Sequence, residues 1–254
     1  MRHKGTNKKW NSTTKLSEKC NILHKMSNSV QGKSQFKGNM IPVRLAILAS
    51  GSGSNAENII HFFSSENRVK IGIIISNNTE AQVHQRAERL GIPSFTFSRE
   101  TLMNGSAMTQ ILKKEQIDFI ILAGYLIKIP TVLISAYPNR IVNIHPALLP
   151  KFGGKGMYGN HVHQAVVDAK EQQTGITIHL VNENYDEGSI VFQEKCTVLP
   201  SDSVEDVAAK VHELEFLHYP EVIGQLLQKE FNVLSSECRG EACFDYAESR
   251  KTTV

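Results

Sequence analysis

The sequence predicts a doubly wound, mainly parallel α/β sheet with an antiparallel C-terminal extension, on three observations. From residue 43 onward, short solid apolar runs recur, and stretches with the apolar spacing of a helix separate them. The first run leaves through a glycine-rich turn, Ser50-Gly51-Ser52-Gly53-Ser54-Asn55, directly into such a stretch. After Pro150 the pattern changes to two strands joined across a short turn, a spacing that suits an antiparallel pair. Strands buried on both faces and alternating with helices assemble as a parallel sheet covered on each side.

Taken in order, Arg44-Leu45-Ala46-Ile47-Leu48-Ala49-Ser50 reads as a buried strand by its length and exit, and residues 54–63 as the helix behind it. Residues 69–76 repeat the strand pattern with Ile71, Ile73, Ile74 and Ile75, and 79–90 read as a helix closed by Gly91 and Pro93. Phe95 and Phe97 mark a short third strand, 101–116 a helix, 118–123 a fourth strand, 130–137 a short helix and 141–144 a fifth strand. Residues 152–156 read as a flexible loop and 158–169 as a helix. A strand over 174–181 carries Ile176, Ile178 and Leu180 on one face, and 190–198 is its partner beyond the turn Tyr185-Asp186-Glu187-Gly188. A long amphipathic helix covers 203–227, with Ser203 as N-cap and Glu205 and Asp206 favouring the first-turn dipole. Pro220 is expected to break or kink it.

These elements make one domain over 43–230, flanked by a disordered basic tail over 1–42 and a C-terminal tail over 231–254. Residues 1–42 hold nine Lys and Arg against the single acid Glu18, leaving 19 against 24 acids for residues 43–254. The body is therefore mildly acidic, which argues against a nucleic-acid-binding fold. The basic segment reads as an arm for nucleic acid or a membrane surface, or as a dispensable leader before an internal start such as Met40; the leader is the expectation. Gly32-Lys33-Ser34 resembles the end of a P-loop, but the required earlier glycine is Ser27 and no strand precedes it.

A composition of 41% hydrophobic and 21% charged residues is that of an ordinary globular chain and excludes collagen-like or wholly disordered classes. No apolar run approaches the roughly 18–20 residues that span a bilayer, and no apolar segment follows the basic N-terminus as a secretory signal requires. A cytoplasmic protein is expected. Cys20, Cys196, Cys238 and Cys243 are too sparse for a disulfide framework and read as reduced thiols. The sequons at Asn11, Asn77 and Asn104 lack a secretory context.

Two sites carry chemistry. In the turn after the first strand, glycines let backbone N–H groups approach an anion while the next helix adds favourable potential. Gly51, Gly53 and Ala56 also satisfy a dinucleotide pattern, but the expected ribose-binding acid is missing, since the second strand ends Ser76-Asn77-Asn78. A phosphate site is the main reading, beside a dinucleotide site or a bare structural turn. The second site is Asn143-Ile144-His145-Pro146 at the carboxyl end of the fifth strand, where two polar side chains share one face and meet the crevice used by ligands of open α/β sheets. Asp186 is a candidate partner that would orient an imidazolium and raise its pKa, although spacing does not join it to His145. His161-Val162-His163 has a metal-like spacing within a helix start and no third ligand nearby, so a structural role is expected.

Gly51-Ser52-Gly53-Ser54-Asn55, Leu122-Ala123-Gly124-Tyr125, Asn143 through Lys151, Gly175-Ile176-Thr177-Ile178-His179 and Tyr185-Asp186-Glu187-Gly188 occur in an order that resembles the phosphoribosylglycinamide formyltransferases of purine synthesis, over about residues 43–228. The resemblance implies a Rossmann-like formyltransferase fold, with 10-formyltetrahydrofolate as co-substrate and no metal. Its partners are then small molecules, with neither nucleic acid nor membrane. It further implies Asn143, His145 and Asp186 as the catalytic trio, Gly53, Ser54, Asn55 and Glu215 as contacts to substrate phosphate and ribose, and Arg99, Leu126, Ile127, Lys128, Ile129 and Asn143 as folate contacts. The segment after Lys151 is longer than in the commoner form of that family, and His212 stands where glutamine is frequent.

Such chemistry needs donors aimed at a tetrahedral oxyanion, worth about 3–4 kcal/mol each, with Asn143 and a charged His145 as the expected pair. A carboxylate at Asp186 would position His145 and relay protons through water. Methionyl-tRNA formyltransferase and formyltetrahydrofolate deformylase share the N-I-H-P-x-L-L-P run. The first needs a C-terminal RNA-binding domain larger than the residues after Leu227, and the second an N-terminal domain larger than 42 residues. A nicotinamide oxidoreductase or a nucleotide-binding module without catalysis are the remaining alternatives.

Overall fold

The structure, a computed structural model, describes residues 41–233. Most of the two expected tails therefore lies outside the described residues, as do Cys20, Cys238, Cys243, the Asn11 sequon and Gly32-Lys33-Ser34. In chain order the elements are β1 (Val43–Leu48), α1 (Ser54–Phe62), β2 (Val69–Ser76), α2 (Gln82–Arg89), β3 (Ser94–Thr96), α3 (Arg99–Asn104), α4 (Ser106–Lys114), β4 (Phe119–Leu122), α5 (Thr131–Ala136), β5 (Ile141–His145), α6 (Asn160–Asp168), β6 (Gln173–Leu180), β7 (Ile190–Thr197) and α7 (Val204–Phe231).

The strands form one sheet in the order β3-β2-β1-β4-β5-β6-β7. β1 to β5 run parallel, and β6 and β7 add antiparallel at one edge. In β1, Leu45, Ala46, Ile47 and Leu48 are all fully buried, which explains why the run is solid rather than alternating. Leu45 and Ile47 join the core that holds α1, α2, α6 and α7, while Ala46 and Leu48 join the core that holds α3, α4 and α5. Each such Leu or Ile contributes about 1.5–3 kcal/mol on burial. The chain winds first to one side of β1 and then to the other, so the carboxyl ends of β1 and β4 open onto a crevice. Across it Ser50 N donates to Gly124 O (3.0 Å), and Ser50 Oγ accepts from Leu126 N (2.9 Å).

The expected doubly wound sheet and its antiparallel extension are both present, and three local expectations need correction. The helix expected over 79–90 begins at Gln82, because Asn78 Oδ1 accepts from Glu80 N (3.0 Å) and Asn78 O from Ala81 N (3.2 Å), holding those residues in a turn. The single helix expected over 101–116 is two, α3 and α4. Gly105 separates them at φ 72°, with Ser98 capping the first through Thr101 N. Pro220 does not break α7, which runs unbroken to Phe231. Proline at 220 leaves the Phe216 carbonyl without its intrahelical donor, and Asn58 Nδ2 supplies a replacement at 2.7 Å.

α7 is fastened to the strand ends. Ser203 and Asp206 form a reciprocal capping box at its start. Further along, Tyr219 is fully buried and its hydroxyl donates to Leu122 O at 2.8 Å, with Val142 O at 3.2 Å. One helical turn before Tyr219 lies Glu215, which therefore faces the same crevice.

Candidate active site

β5 and β6 pair antiparallel, with Asn143 opposite His179 and His145 opposite Thr177. Side chains alternate along a strand, so all four residues occupy one face. Asn143 Nδ2 lies 3.2 Å from His179 Nε2, and His179 Nδ1–H donates to Leu180 O at 3.1 Å. Nε2 thus faces both the Asn143 amide and the turn that carries Asp186, and an amide N–H of Asn143 is left for a ligand.

His145 is 3% exposed. Its Nε2–H donates to the Phe152 carbonyl at 2.8 Å, and its Nδ1 lies 3.6 Å from Asp186 Oδ2. Asp186 sits in the β6–β7 turn at φ 54°, accepts from Gly154 N at 2.9 Å, and brings Oδ1 to 3.7 Å from His179 Nε2. Gly188 makes this turn possible, since a Cβ there would fall 1.6 Å from Leu180 O. The loop over 152–156, expected to be flexible, is engaged at both Phe152 O and Gly154 N.

Asp186 raises the His145 pKa as expected, but burial dominates it. Burial pulls the His145 pKa down, and the Asp186 carboxylate and the Phe152 carbonyl only partly oppose it, so the imidazole is held below its usual value rather than above it. Burial by itself would push the Asp186 carboxyl up, but His179, Gly154 N–H and His145 together hold it below the ordinary range.

At the glycine-rich turn, Gly53 adopts φ 74° and a Cβ on it would lie 2.6 Å from Val83 Cγ2, so glycine answers both the conformation and the close approach. No acceptor among the described residues takes the N–H groups of Ser52, Gly53, Ser54 or Asn55. Asn55 Nδ2 donates to Glu215 Oε2 at 2.9 Å, joining α1 to α7, and Asn55 Oδ1 is buried with no partner. His212 Nδ1 also reaches Glu215 Oε2, at 3.3 Å, and that hydrogen bond raises the His212 pKa.

Candidate folate positions are less unified. Leu126 is half exposed, Lys128 stacks 5.5 Å from the centre of the Tyr185 ring, and Ile129 is buried in the core beside α5. A cavity of about 390 Å³ is lined by Lys128, Ile129, Met103 and Val132 among others. Arg99 lies exposed at the start of α3, and no described hydrogen bond or ion pair joins it to the crevice.

The sequence assigned no role to His179 beyond its place in Gly175-Ile176-Thr177-Ile178-His179, and only a structural one to His163. His179 was legible as the polar face of a strand whose other face is Ile176, Ile178 and Leu180. His161 and His163 diverge because neighbours two apart on a helix point to different sides. The His161 ring packs on Tyr158, whereas His163 is 6% exposed with an unpartnered Nδ1. Burial lowers the His163 pKa; Glu215 raises it and His145 lowers it further. Among the described residues no group of His, Cys, Asp and Glu is arranged to hold a metal, and no helix is long and apolar enough to cross a membrane.

The family model described as "Formyl transferase" matches residues 43–223, from the first strand through most of α7. The chain belongs to the formyl transferase family. It is 39% identical over 193 residues to the chloroplastic phosphoribosylglycinamide formyltransferase of Arabidopsis thaliana, covering 73% of this chain and 66% of that one. It thus spans slightly less than two thirds of the plant relative. With the phosphoribosylglycinamide formyltransferase of Bacillus subtilis (strain 168) it shares 36% identity over 189 residues, 72% of this chain and 94% of that one. The crystal structure of phosphoribosylglycinamide formyltransferase from Bacillus halodurans superposes with a TM-score of 0.68 at 36% identity, covering 75% of this chain and 98% of that one. In this formyl transferase the polar cluster at the ends of β5 and β6 and the glycine-rich turn after β1 open onto the same side of the sheet.

Proposed function

We propose that this chain transfers a formyl group from 10-formyltetrahydrofolate to the amine of 5'-phosphoribosylglycinamide in de novo purine biosynthesis. The observation that carries the reading is the convergence of Asn143, His145 and Asp186 at the carboxyl end of β5, beside a turn with free N–H groups and the Asn55–Glu215 pair. Membership of the formyl transferase family and the names of the relatives support it.

Asn143 supplies the preorganised donor for the oxyanion formed when the substrate amine attacks the formyl carbon. His145 is neutral at rest, with Nε2–H donated to Phe152 O and the lone pair of Nδ1 left beside Asp186. It serves as the acceptor for the proton the amine must lose, which reaches Nδ1 by way of a water beside Asp186. The imidazolium so formed is stabilised by the carboxylate and returns the proton to the departing folate nitrogen. The turn amides of Ser52 to Asn55 hold the substrate phosphate, and Glu215 receives the ribose. Leu126, Ile127 and Lys128 form the folate side of the crevice, with Ile129 backing them and Arg99 at its periphery. Small molecules are the proposed partners, with neither nucleic acid nor membrane. A cytoplasmic site of action is proposed on the sparseness of cysteine in the sequence.

The test is direct. Purified protein is mixed with both substrates, without ATP or formate and with EDTA present, and consumption of the formylfolate is followed by absorbance. Formylated product is expected. A strict requirement for ATP and formate, or no transfer by folded protein, removes the reading.

A further inference from the structure

We propose that Arg86, outside the catalytic cluster, is a positioning residue for the glycine-rich turn: it turns the Ser52 carbonyl away from the crevice and so aims the turn's N–H groups at a phosphate. This rests on the phosphate role proposed above.

The turn can bind an anion only if its carbonyls are occupied elsewhere, because a peptide presents its N–H and C=O on opposite sides. Three of its carbonyls are occupied. Gly51 O accepts from Val83 N at 3.3 Å, Ser52 O from Arg86 Nε at 2.8 Å, and Gly53 O from Glu57 N at 2.9 Å. Two of those donors belong to α2, which lies behind the turn and whose Val83 fills the space next to Gly53. Among the three, only the Ser52 contact depends on a side chain. A long side chain holds a carbonyl well only if its own tip is fixed, and here Glu57 provides that. Its carboxylate, 18% exposed, pairs with the Arg86 guanidinium through one oxygen and with Arg89 through the other. Glu57 lies in the first turn of α1, the helix that the glycine-rich turn opens. Arg86, Glu57 and Ser52 thus close a brace from α2 to α1 behind the turn. Arginine suits this position because its fork engages a carbonyl and a carboxylate at once.

The test compares wild type, Arg86→Met, Arg86→Lys and Glu57→Gln. Binding of ribose 5-phosphate is followed through the amide resonances of Ser52 to Asn55, with ribose as control, and kcat and KM are measured for both proposed substrates. The Met variant is expected to weaken ribose 5-phosphate binding and raise KM for the phosphorylated substrate about ten- to a hundredfold, with kcat and the folate KM within about threefold. The Lys variant restores the carbonyl contact but not the fork, and falls in between. Glu57→Gln decides between positioning and simple charge: loosening the brace weakens phosphate binding, whereas a guanidinium acting directly on phosphate would bind it more tightly once its carboxylate is gone. Tighter binding in Glu57→Gln, unchanged binding in Arg86→Met, or no ribose 5-phosphate binding by wild type overturns the proposal. If Arg86→Met does not fold, the Lys and Gln variants carry the decision. Loss of phosphate binding in the variants, with no formyl transfer by wild type, leaves the brace standing and removes the functional reading instead.

Discussion

Asp186 and His145 meet from two different loop-and-strand systems, with Oδ2 3.6 Å from Nδ1, and the same carboxylate holds the backbone of Gly154. One oxygen therefore touches both the candidate proton acceptor and the loop whose Phe152 carbonyl fixes that acceptor's other nitrogen. The carboxylate has a positional and an electrostatic task, and substitution can separate them.

Asp186→Asn keeps size and some hydrogen bonding but loses the charge that stabilises a protonated His145. Turnover is expected to fall about a hundred- to ten-thousandfold with little change in KM. His145→Ala and the double variant should show losses far from additive, since the two act as a unit. Near-normal turnover in a folded Asp186→Asn protein would leave Asn143 and His145 to act without it.

The protonation of His145 can be read directly by NMR titration. Its midpoint is expected below the ordinary value of about 6.5, because burial outweighs Asp186, and lower still in Asp186→Asn. A midpoint above 6.5 in wild type would restore a resting imidazolium.

Stability follows from the same shifts. The His145 and His163 pKa values are lowered on folding, so below about pH 6.5 the unfolded chain binds protons that the folded one refuses, and stability falls with pH there. His212 is raised and works in the opposite sense, its contribution being complete at low pH and lost as pH rises through its folded value. Urea midpoints measured from pH 8 to 5 should decline more shallowly in His145→Asn than in wild type; parallel curves would exclude this linkage.

Tyr219→Phe removes the donor that ties α7 to the ends of β4 and β5 and leaves the Leu122 carbonyl short of a partner. A loss of about 1–2 kcal/mol is expected, lowering Tm by a few degrees in a domain of this size. An unchanged melting curve would show that packing alone seats the helix.

Gly188→Ala puts a Cβ where the Leu180 carbonyl oxygen already lies, 1.6 Å away. The turn must move, at a cost of about 3 kcal/mol, and Asp186 moves with it. Both Tm and kcat should drop. Full activity at normal stability would mean that the turn tolerates a second geometry.

Much of this was legible along the chain because it depends on neighbours in sequence. The apolar period of β1 and β2, the glycines after β1, and the two-residue spacing that sets Asn143 and His145 on one face are properties of short segments. Of the three corrections, the late start of α2 turns on local bonds at Asn78, whereas the other two involve a distant residue. Pro220 is tolerated because Asn58, on another helix, takes up the Phe216 carbonyl. The helix expected over 101–116 divides at Gly105, whose Cβ would fall 2.6 Å from Val132.

The sequence by itself determined the doubly wound sheet with its antiparallel edge, the glycine-rich turn after β1 that opens a helix, and the polar pair on β5, since strand period and turn chemistry are local. Only the tertiary structure decided that Asp186 stands beside His145, that Glu215 and Asn55 join α7 to α1, and that His179 belongs to the cluster. It also decided the direction in which the His145 pKa moves, because a pKa is set by the full surroundings of the ring. A carboxylate beside the ring raises it, but burial on every side of the imidazole outweighs that single neighbour.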